Sequence, residues 1–201
     1  MKPYYEDEII TIYHGDCREV IKDIHVGVDA VITDPPYPDY HVELYNYHPE
    51  TLQYFTSLKC KQFIFWSVRE QFPLDYTAIH IWNKEVPSSP YERIFERNGG
   101  DAYKLFSHQF VNNRVLARFH KDEWTKHPSQ KPIALMIELI LLATDLGQTV
   151  LDPFAGSGST LKAAKMCGRK AIGIEIEERW CEYMVGRLSQ DMLFPLDEEG
   201  Y

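Results

Sequence analysis

Two short segments of this chain hold residues that could do chemistry together. Thr33-Asp34-Pro35-Pro36-Tyr37 follows the apolar run Val28 to Ile32, and Asp152-Pro153-Phe154-Ala155-Gly156-Ser157-Gly158-Ser159-Thr160 follows Thr149 to Leu151. The first suits an exocyclic amine on a flat heterocycle. Such an amine is a poor nucleophile because its lone pair is delocalised into the ring. A carboxylate and a backbone carbonyl that each accept one amino hydrogen draw the nitrogen toward a tetrahedral form. Asp34 supplies the carboxylate and Pro35 the carbonyl, while Pro35 and Pro36 stiffen the loop so that both acceptors are pre-positioned. Tyr37 offers a ring for stacking, and a base gripped in this way must leave its duplex. In isolation the same residues would equally describe a strand followed by a Pro-Pro turn.

The second segment reads as a ligand-binding turn. Gly156 and Gly158 let the backbone bend tightly and approach a ligand, and a helix starting near Ser159 presents free N–H groups to it. A P-loop would need a lysine before Ser159, and the dinucleotide fingerprint would need glycine where Leu161 stands. What remains is a strand-end Asp152, a Phe-x-Gly-x-Gly turn and an acid, Glu175, at the end of the next strand. An acid there can accept both ribose hydroxyls, a role shared by dinucleotide and adenosyl-methionine sites.

The elements that must position these residues alternate between strand and helix. Ile9 to His14, Val28 to Thr33, Gln62 to Ser67, Thr77 to Asn83, Thr149 to Asp152 and Lys170 to Glu175 read as strands. Arg18 to Ile24, Pro49 to Leu58, Pro132 to Thr144, Ser159 to Met166 and Glu178 to Leu188 read as helices, the third apolar on nearly every side and opened by proline. Glu85 to Ser107, rich in Pro, Gly, Asn and aromatics, reads as a loop-like insertion, and Arg114 to His120 as one further strand. This alternation implies an open, mostly parallel α/β sheet in one domain.

Composition sets outer bounds. The 201 residues suffice for one buried core, and 44% hydrophobic with 25% charged residues is ordinary for a globular chain. No apolar run spans a bilayer and no basic-then-apolar leader opens the chain, so a cytoplasmic protein is expected. The four cysteines, Cys17, Cys60, Cys167 and Cys181, have no CxxC spacing and read as reduced structural thiols. His108, His120 and His127 are too dispersed for a metal site and read as surface or DNA-facing. The net charge of −9 is uneven: Lys84 to Lys131 carries +3 and the remainder −12. A basic middle in an acidic body suits a nucleic-acid face, and a solvated surface explains it nearly as well.

In order along the chain, these motifs resemble the beta group of the DNA amino-methyltransferase family, which modifies adenine N6 or cytosine N4 and carries the catalytic motif before the cofactor motif. The resemblance covers almost all of residues 1–201 as a single methyltransferase domain, with a short target-recognition insertion at about 85–123. It implies a permuted Rossmann-like fold with a seven-stranded, mostly parallel sheet, one strand reversed at the edge, and S-adenosyl-L-methionine as methyl donor, released as S-adenosyl-L-homocysteine. Gly15-Asp16-Cys17 resembles the segment that holds the cofactor's adenine through Asp16 and the backbone at Cys17. His127-Pro128-Ser129-Gln130-Lys131-Pro132 resembles the segment in which Ser129 and Lys131 would meet the methionine carboxylate. Asp34, Asp152, Phe154, Ala155, Gly156, Ser157 and Gly158 would line the same site, with Phe154 or Tyr37 facing the sulfonium. Gly173-Ile174-Glu175 resembles the ribose-acid strand, continued by Ile176. Trp82-Asn83-Lys84 and Tyr91-Glu92-Arg93 resemble the hairpin strand and edge of the recognition region.

The resemblance implies direct attack by the amine, with Asp34, Pro35, Pro36 and Tyr37 at the reacting centre, no cysteine nucleophile and no metal. Double-stranded DNA is the expected partner, with Lys84, Arg93, Arg97, Lys104, Arg114 and Arg118 as candidate phosphate contacts, and a homodimer would extend the short face. Adenine N6 is expected over cytosine N4 because Asp34, rather than Ser, opens the motif. The alternatives are a cytosine-N4 enzyme, a non-catalytic nucleic-acid-binding module on the same fold, and a methyltransferase acting on RNA or a glutamine side chain.

Overall fold

The computed structural model describes residues 1–24, 27–38, 49–85, 89–108, 127 and 129–189. The strands are β1 (Tyr5–Glu6), β2 (Ile10–His14), β3 (Ala30–Thr33), β4 (Lys61–Trp66), β5 (Ala78–Asn83), β6 (Tyr91–Arg97), β7 (Leu105–Ser107), β8 (Thr149–Asp152) and β9 (Lys170–Glu175). They form one sheet in the order β1-β2-β9-β8-β3-β4-β6-β5-β7. The seven strands from β2 to β5 make the expected arrangement with one strand reversed. That strand is β6, and it lies inside the sheet rather than at the edge where it was expected, antiparallel to both β4 and β5. The short β1 and β7 extend the two edges, antiparallel to β2 and parallel to β5 respectively.

The central strands are continuous apolar runs because both faces of the sheet are covered. Successive side chains alternate between two cores: Ile32, Phe63 and Phe65 belong to one, and Val31, Ile64 and Trp66 to the other. The helices α2 (Ile133–Ala143), α3 (Ser159–Met166) and α4 (Glu178–Leu188) supply Leu135, Leu139, Leu161, Ala164, Cys181 and Met184 to the first core. The short α1 (Cys17–Val20) and a 3-10 helix (Pro49–Ser57) supply Val20, Leu52 and Phe55 to the second. The helix expected at Pro49 to Leu58 is present as 3-10 over Pro49–Ser57, and α1 is continued by 3-10 geometry over Ile21–Asp23.

The reading of Glu85 to Ser107 as a loop is corrected, since it contains β6 and β7. The Pro, Gly and Asn around β6 disguise it. Its charges are each matched across space: Glu92 by Lys84 at 2.9 Å, Arg93 by the Ser67 carbonyl at 3.0 Å, Glu96 by His80 at 2.8 Å, and Arg97 by the Gln62 side chain at 2.7 Å. The strand expected at Arg114 to His120 lies outside the described residues. Among the described residues no helix is long and apolar enough to cross a membrane, and no group of three His, Cys, Asp or Glu could hold a metal ion.

Candidate active site

Four adjacent parallel strands, β2, β9, β8 and β3, end on one side of the sheet, and each is followed by one of the motifs. Gly15 to Arg18 follow β2, Asp34 to Tyr37 follow β3, Asp152 to Ser157 close β8, and Glu175 to Glu177 close β9. All of them line one cavity of about 340 Å³, together with His127, Ser129, Gln130 and Lys131. A ligand crevice outside the carboxyl ends of parallel strands is the general expectation for open α/β sheets, and the volume is on the scale of a small-molecule site.

The glycine turn is built as its sequence requires. Gly156 and Gly158 have φ of +50° and +77°, in the region that favours glycine. A Cβ on Gly156 would stand 3.0 Å from His127 Nε2, and one on Gly158 would stand 2.8 Å from Met184 Cγ. Asp152 holds the turn from within. Its Oδ1 accepts hydrogen bonds from Thr33 Oγ1 at 2.8 Å and Phe154 N at 3.1 Å, and its Oδ2 accepts one from Thr160 Oγ1 at 2.5 Å. Asp152 therefore ties β3, the turn and α3 together. Arg187, buried on α4, braces the other side by donating to the Ser157 carbonyl at 2.8 Å. Nothing local in the sequence marks Arg187 for this task.

Glu175 lies across the turn. Its Oε2 accepts from Gly156 N and its Oε1 from Glu177 N, both at 2.8 Å, and burial raises its carboxyl above the ordinary value. Both oxygens keep a lone pair for a ligand hydroxyl. Asp16 caps α1, accepting from Arg18 N at 2.9 Å, and is paired with the Arg18 guanidinium. Burial, followed by the adjoining Asp16 charge, pushes the Cys17 thiol up to about 12, which makes it a packing residue with no thiolate to react. Ile176, 65% exposed, stands at the cavity mouth, and Phe154 and Ala155 form part of the wall.

The Asp34 side is the other half of the cavity. Lys131 Nζ donates to Asp34 Oδ2, whereas the buried Oδ1 has no hydrogen-bond partner. Burial lifts the Asp34 carboxyl to about 6 against the opposing pull of Lys131. The Tyr37 ring packs on Trp66 with centroids 5.6 Å apart, and its hydroxyl donates to Glu92 at 3.3 Å. Lys131 thus reaches Asp34 and, at 3.6 Å, Glu92, in addition to lining the cavity. Ser129 N donates to His127 Nδ1 at 3.2 Å. His127 is a cavity-wall residue rather than the surface group expected. Its ring meets Trp180 edge-on at 4.6 Å, and burial holds it down to about 4, so it is neutral at neutral pH.

The expected DNA-contacting residues divide. Lys104 is exposed, and Lys84 is paired with Glu92. Arg97 is corrected to an interior residue. It is 9% exposed and donates to the Asp75 carbonyl at 2.7 Å, the Phe55 carbonyl at 3.2 Å and Gln62 Oε1 at 2.7 Å. Arg93 likewise donates to the carbonyls of Ser67 and Glu70 and lies over the Phe95 ring. Arg114 and Arg118 lie outside the described residues.

The donor set fits an adenosyl cofactor. A buried acid beside a positive-φ glycine turn is matched to a ribose, and the cavity extends from it to Asp34. The N6/N4 DNA methylase family model matches residues 45–186. The chain is 42% identical over 87 residues to the DNA adenine methyltransferase YhdJ of Escherichia coli K12, a match spanning 41% of this chain and 30% of that protein. It is 32% identical over 142 residues to the type II methyltransferase M2.DpnII of Streptococcus pneumoniae, spanning 67% of this chain and 47% of that protein. The chain thus spans less than half the length of either curated relative. Among solved structures, the M1.HpyAVI–SAM complex has a TM-score of 0.65 at 27% identity, covering 90% of this chain and 100% of that one. The cytosine-N4-specific PvuII methyltransferase has a TM-score of 0.67 at 16% identity, covering 96% of this chain and 91% of its own, a likeness of fold. With its catalytic and glycine motifs on adjacent strand ends around one cavity, the chain belongs to the DNA methylase family of S-adenosylmethionine-dependent N6/N4 methyltransferases.

Proposed function

We propose that this chain methylates the exocyclic N6 of adenine in DNA, acting in the cytoplasm on a base turned out of the duplex. The observation that carries the reading is the carboxylate of Asp34, held by Lys131, in the cavity wall on the strand end beside the glycine turn. S-adenosylmethionine, when bound, supplies an electrophilic methyl group. Glu175, Asp16 and the Gly156–Gly158 turn would hold its adenosine part, and Ser129 with Lys131 its methionine end. The Asp34 carboxylate and the Pro35 carbonyl would each accept one amino hydrogen, which localises the nitrogen lone pair and aims it. Tyr37, backed by Trp66, would give the extruded base a surface to stack on. The amine proton departs after attack, and an ionised Asp34 could receive it.

Adenine is favoured by the acid at the head of the motif and by the adenine specificity in the E. coli relative's name. The DNA face proposed is the basic segment from Lys84 to Lys131, with Lys104, Arg114 and Arg118 as its phosphate contacts. Incubation with methyl-labelled cofactor and unmethylated duplex, followed by digestion to nucleosides, tests the reading. Label in N6-methyladenosine is expected. Label in N4-methylcytosine would move the target, and no label in DNA would overturn the reading.

A further inference from the structure

Behind the cavity wall lies a buried carboxylate that the transfer chemistry above does not use. Glu92 projects from β6 with its side chain 5% exposed, and it does not line the cavity. Its Oε2 is 2.9 Å from Lys84 Nζ, and its Oε1 is 3.3 Å from the Tyr37 hydroxyl and 3.6 Å from Lys131 Nζ. Lys131 in turn donates to Asp34 Oδ2 and lies over the rings of Phe65, at 4.8 Å, and Trp82, at 5.9 Å. One carboxylate therefore joins the two residues that would grip the base, Asp34 through Lys131 and Tyr37 directly. Two carboxylates and two ammonium groups leave the group neutral, as burial among aromatic rings requires.

We propose that Glu92 is a positioning residue for methyl transfer: by sharing Lys131 with Asp34 and holding the Tyr37 hydroxyl, it fixes the Asp34 carboxylate and the Tyr37 ring where the base would be gripped. This rests on the reading of Asp34 as the amine's acceptor. The charged groups acting on Asp34 come from three places: Lys131 ahead of α2, Glu92 on β6 and Lys84 after β5. Lys131 and Lys84 favour the ionised carboxylate, whereas Glu92 opposes it. The same lysines hold Glu92 below its ordinary value. Removing the Glu92 charge should strengthen the hold of Lys131 on Asp34, and removing Lys84 should draw Lys131 toward Glu92.

The test is a carboxyl-carbon NMR titration of the free enzyme labelled at aspartate, with the Asp34 signal assigned by its loss in Asp34→Asn. In Glu92→Gln, Asp34 should titrate roughly one pH unit lower than in wild type, and in Lys84→Met it should titrate higher. The acid limb of kcat should move in the same directions, with kcat in Glu92→Gln reduced about tenfold and cofactor Kd within about twofold of wild type. A residue that merely packs would produce neither opposed titration shifts nor a matching displacement of the pH profile. An Asp34 titration unchanged in both variants, or shifted the same way in both, overturns the proposal. If Glu92→Gln fails to fold, Lys84→Met decides it alone, because Lys84 sits at the partly exposed end of the group. Wild type that labels no DNA would overturn the transfer reading, whereas the titrations, made without cofactor or DNA, decide the role of Glu92 separately.

Discussion

Glu175 serves two tasks at once, and substituting it separates this geometry from a simpler ribose acid. Its carboxylate receives Gly156 N and Glu177 N at 2.8 Å each, so Glu175→Ala removes the acceptor of both N–H groups as well as the group facing the ribose. The cofactor loses charge-assisted hydrogen bonds to its hydroxyls, about 1.5–3 kcal/mol, which corresponds to roughly a 10- to 150-fold weaker Kd. The free protein loses the acceptor of two donors that border a cavity water can enter. Their cost belongs at the low end of the range for unmet buried donors, about 1–3 kcal/mol together, or roughly 2–10 °C in Tm for a chain of this size. Glu175→Gln retains one acceptor oxygen but turns an amide NH2 toward the other N–H, so it too should lower both quantities. Titration calorimetry with S-adenosylhomocysteine and scanning calorimetry of the free protein measure the two effects. Unchanged affinity would move the ribose acid elsewhere, and weaker binding at unchanged Tm would refute the claim that Glu175 supports the turn.

Asp34→Ala should leave cofactor binding within a few-fold while transfer falls by roughly 10²-fold or more, as for other pre-positioned polar groups at a reacting centre; near-complete transfer would sink the acceptor role. Because burial lifts the Asp34 carboxyl to about 6, the wild-type rate should fall as the pH drops through that value and the acceptor becomes protonated; a rate flat from pH 8 to 5 would refute this. Tyr37→Phe should be mild, since only a 3.3 Å hydrogen bond to Glu92 is lost, whereas Tyr37→Ala should cost about 1–3 kcal/mol of stacking in DNA affinity; a severe Phe variant would point to the hydroxyl. Neutralising Lys104, Arg114 and Arg118 should reduce the log–log salt slope of DNA binding by about 0.9 for each phosphate left without its cation, while Arg97→Met should lower Tm and leave the slope unchanged; the reverse pattern would put DNA on another surface.

The sequence by itself determined the parts whose physics is local. Strands buried on both faces of a parallel sheet must read as unbroken apolar runs, so β3, β8 and β9 were visible, and the loops that follow them were placed by the covalent chain. Gly156 and Gly158 were legible for the same reason, because the left-handed backbone they adopt is a property of the single residue. The order of catalytic and glycine motifs needed no coordinates either. What only the tertiary structure decided depends on partners far apart in the chain. The Pro, Gly and Asn around it made β6 read as loop, and its charges Glu92, Arg93, Glu96 and Arg97 are neutralised or satisfied across space by Lys84, Ser67, His80 and Gln62. Arg97 read as a DNA contact because sequence reports charge without burial, and here its donors are spent on carbonyls inside the fold. His127 became a cavity wall, Arg187 a brace and Glu92 a link between Asp34 and Tyr37 for the same reason. The free energy of a buried charge is set by its three-dimensional neighbours, and those neighbours exist only once the sheet has assembled.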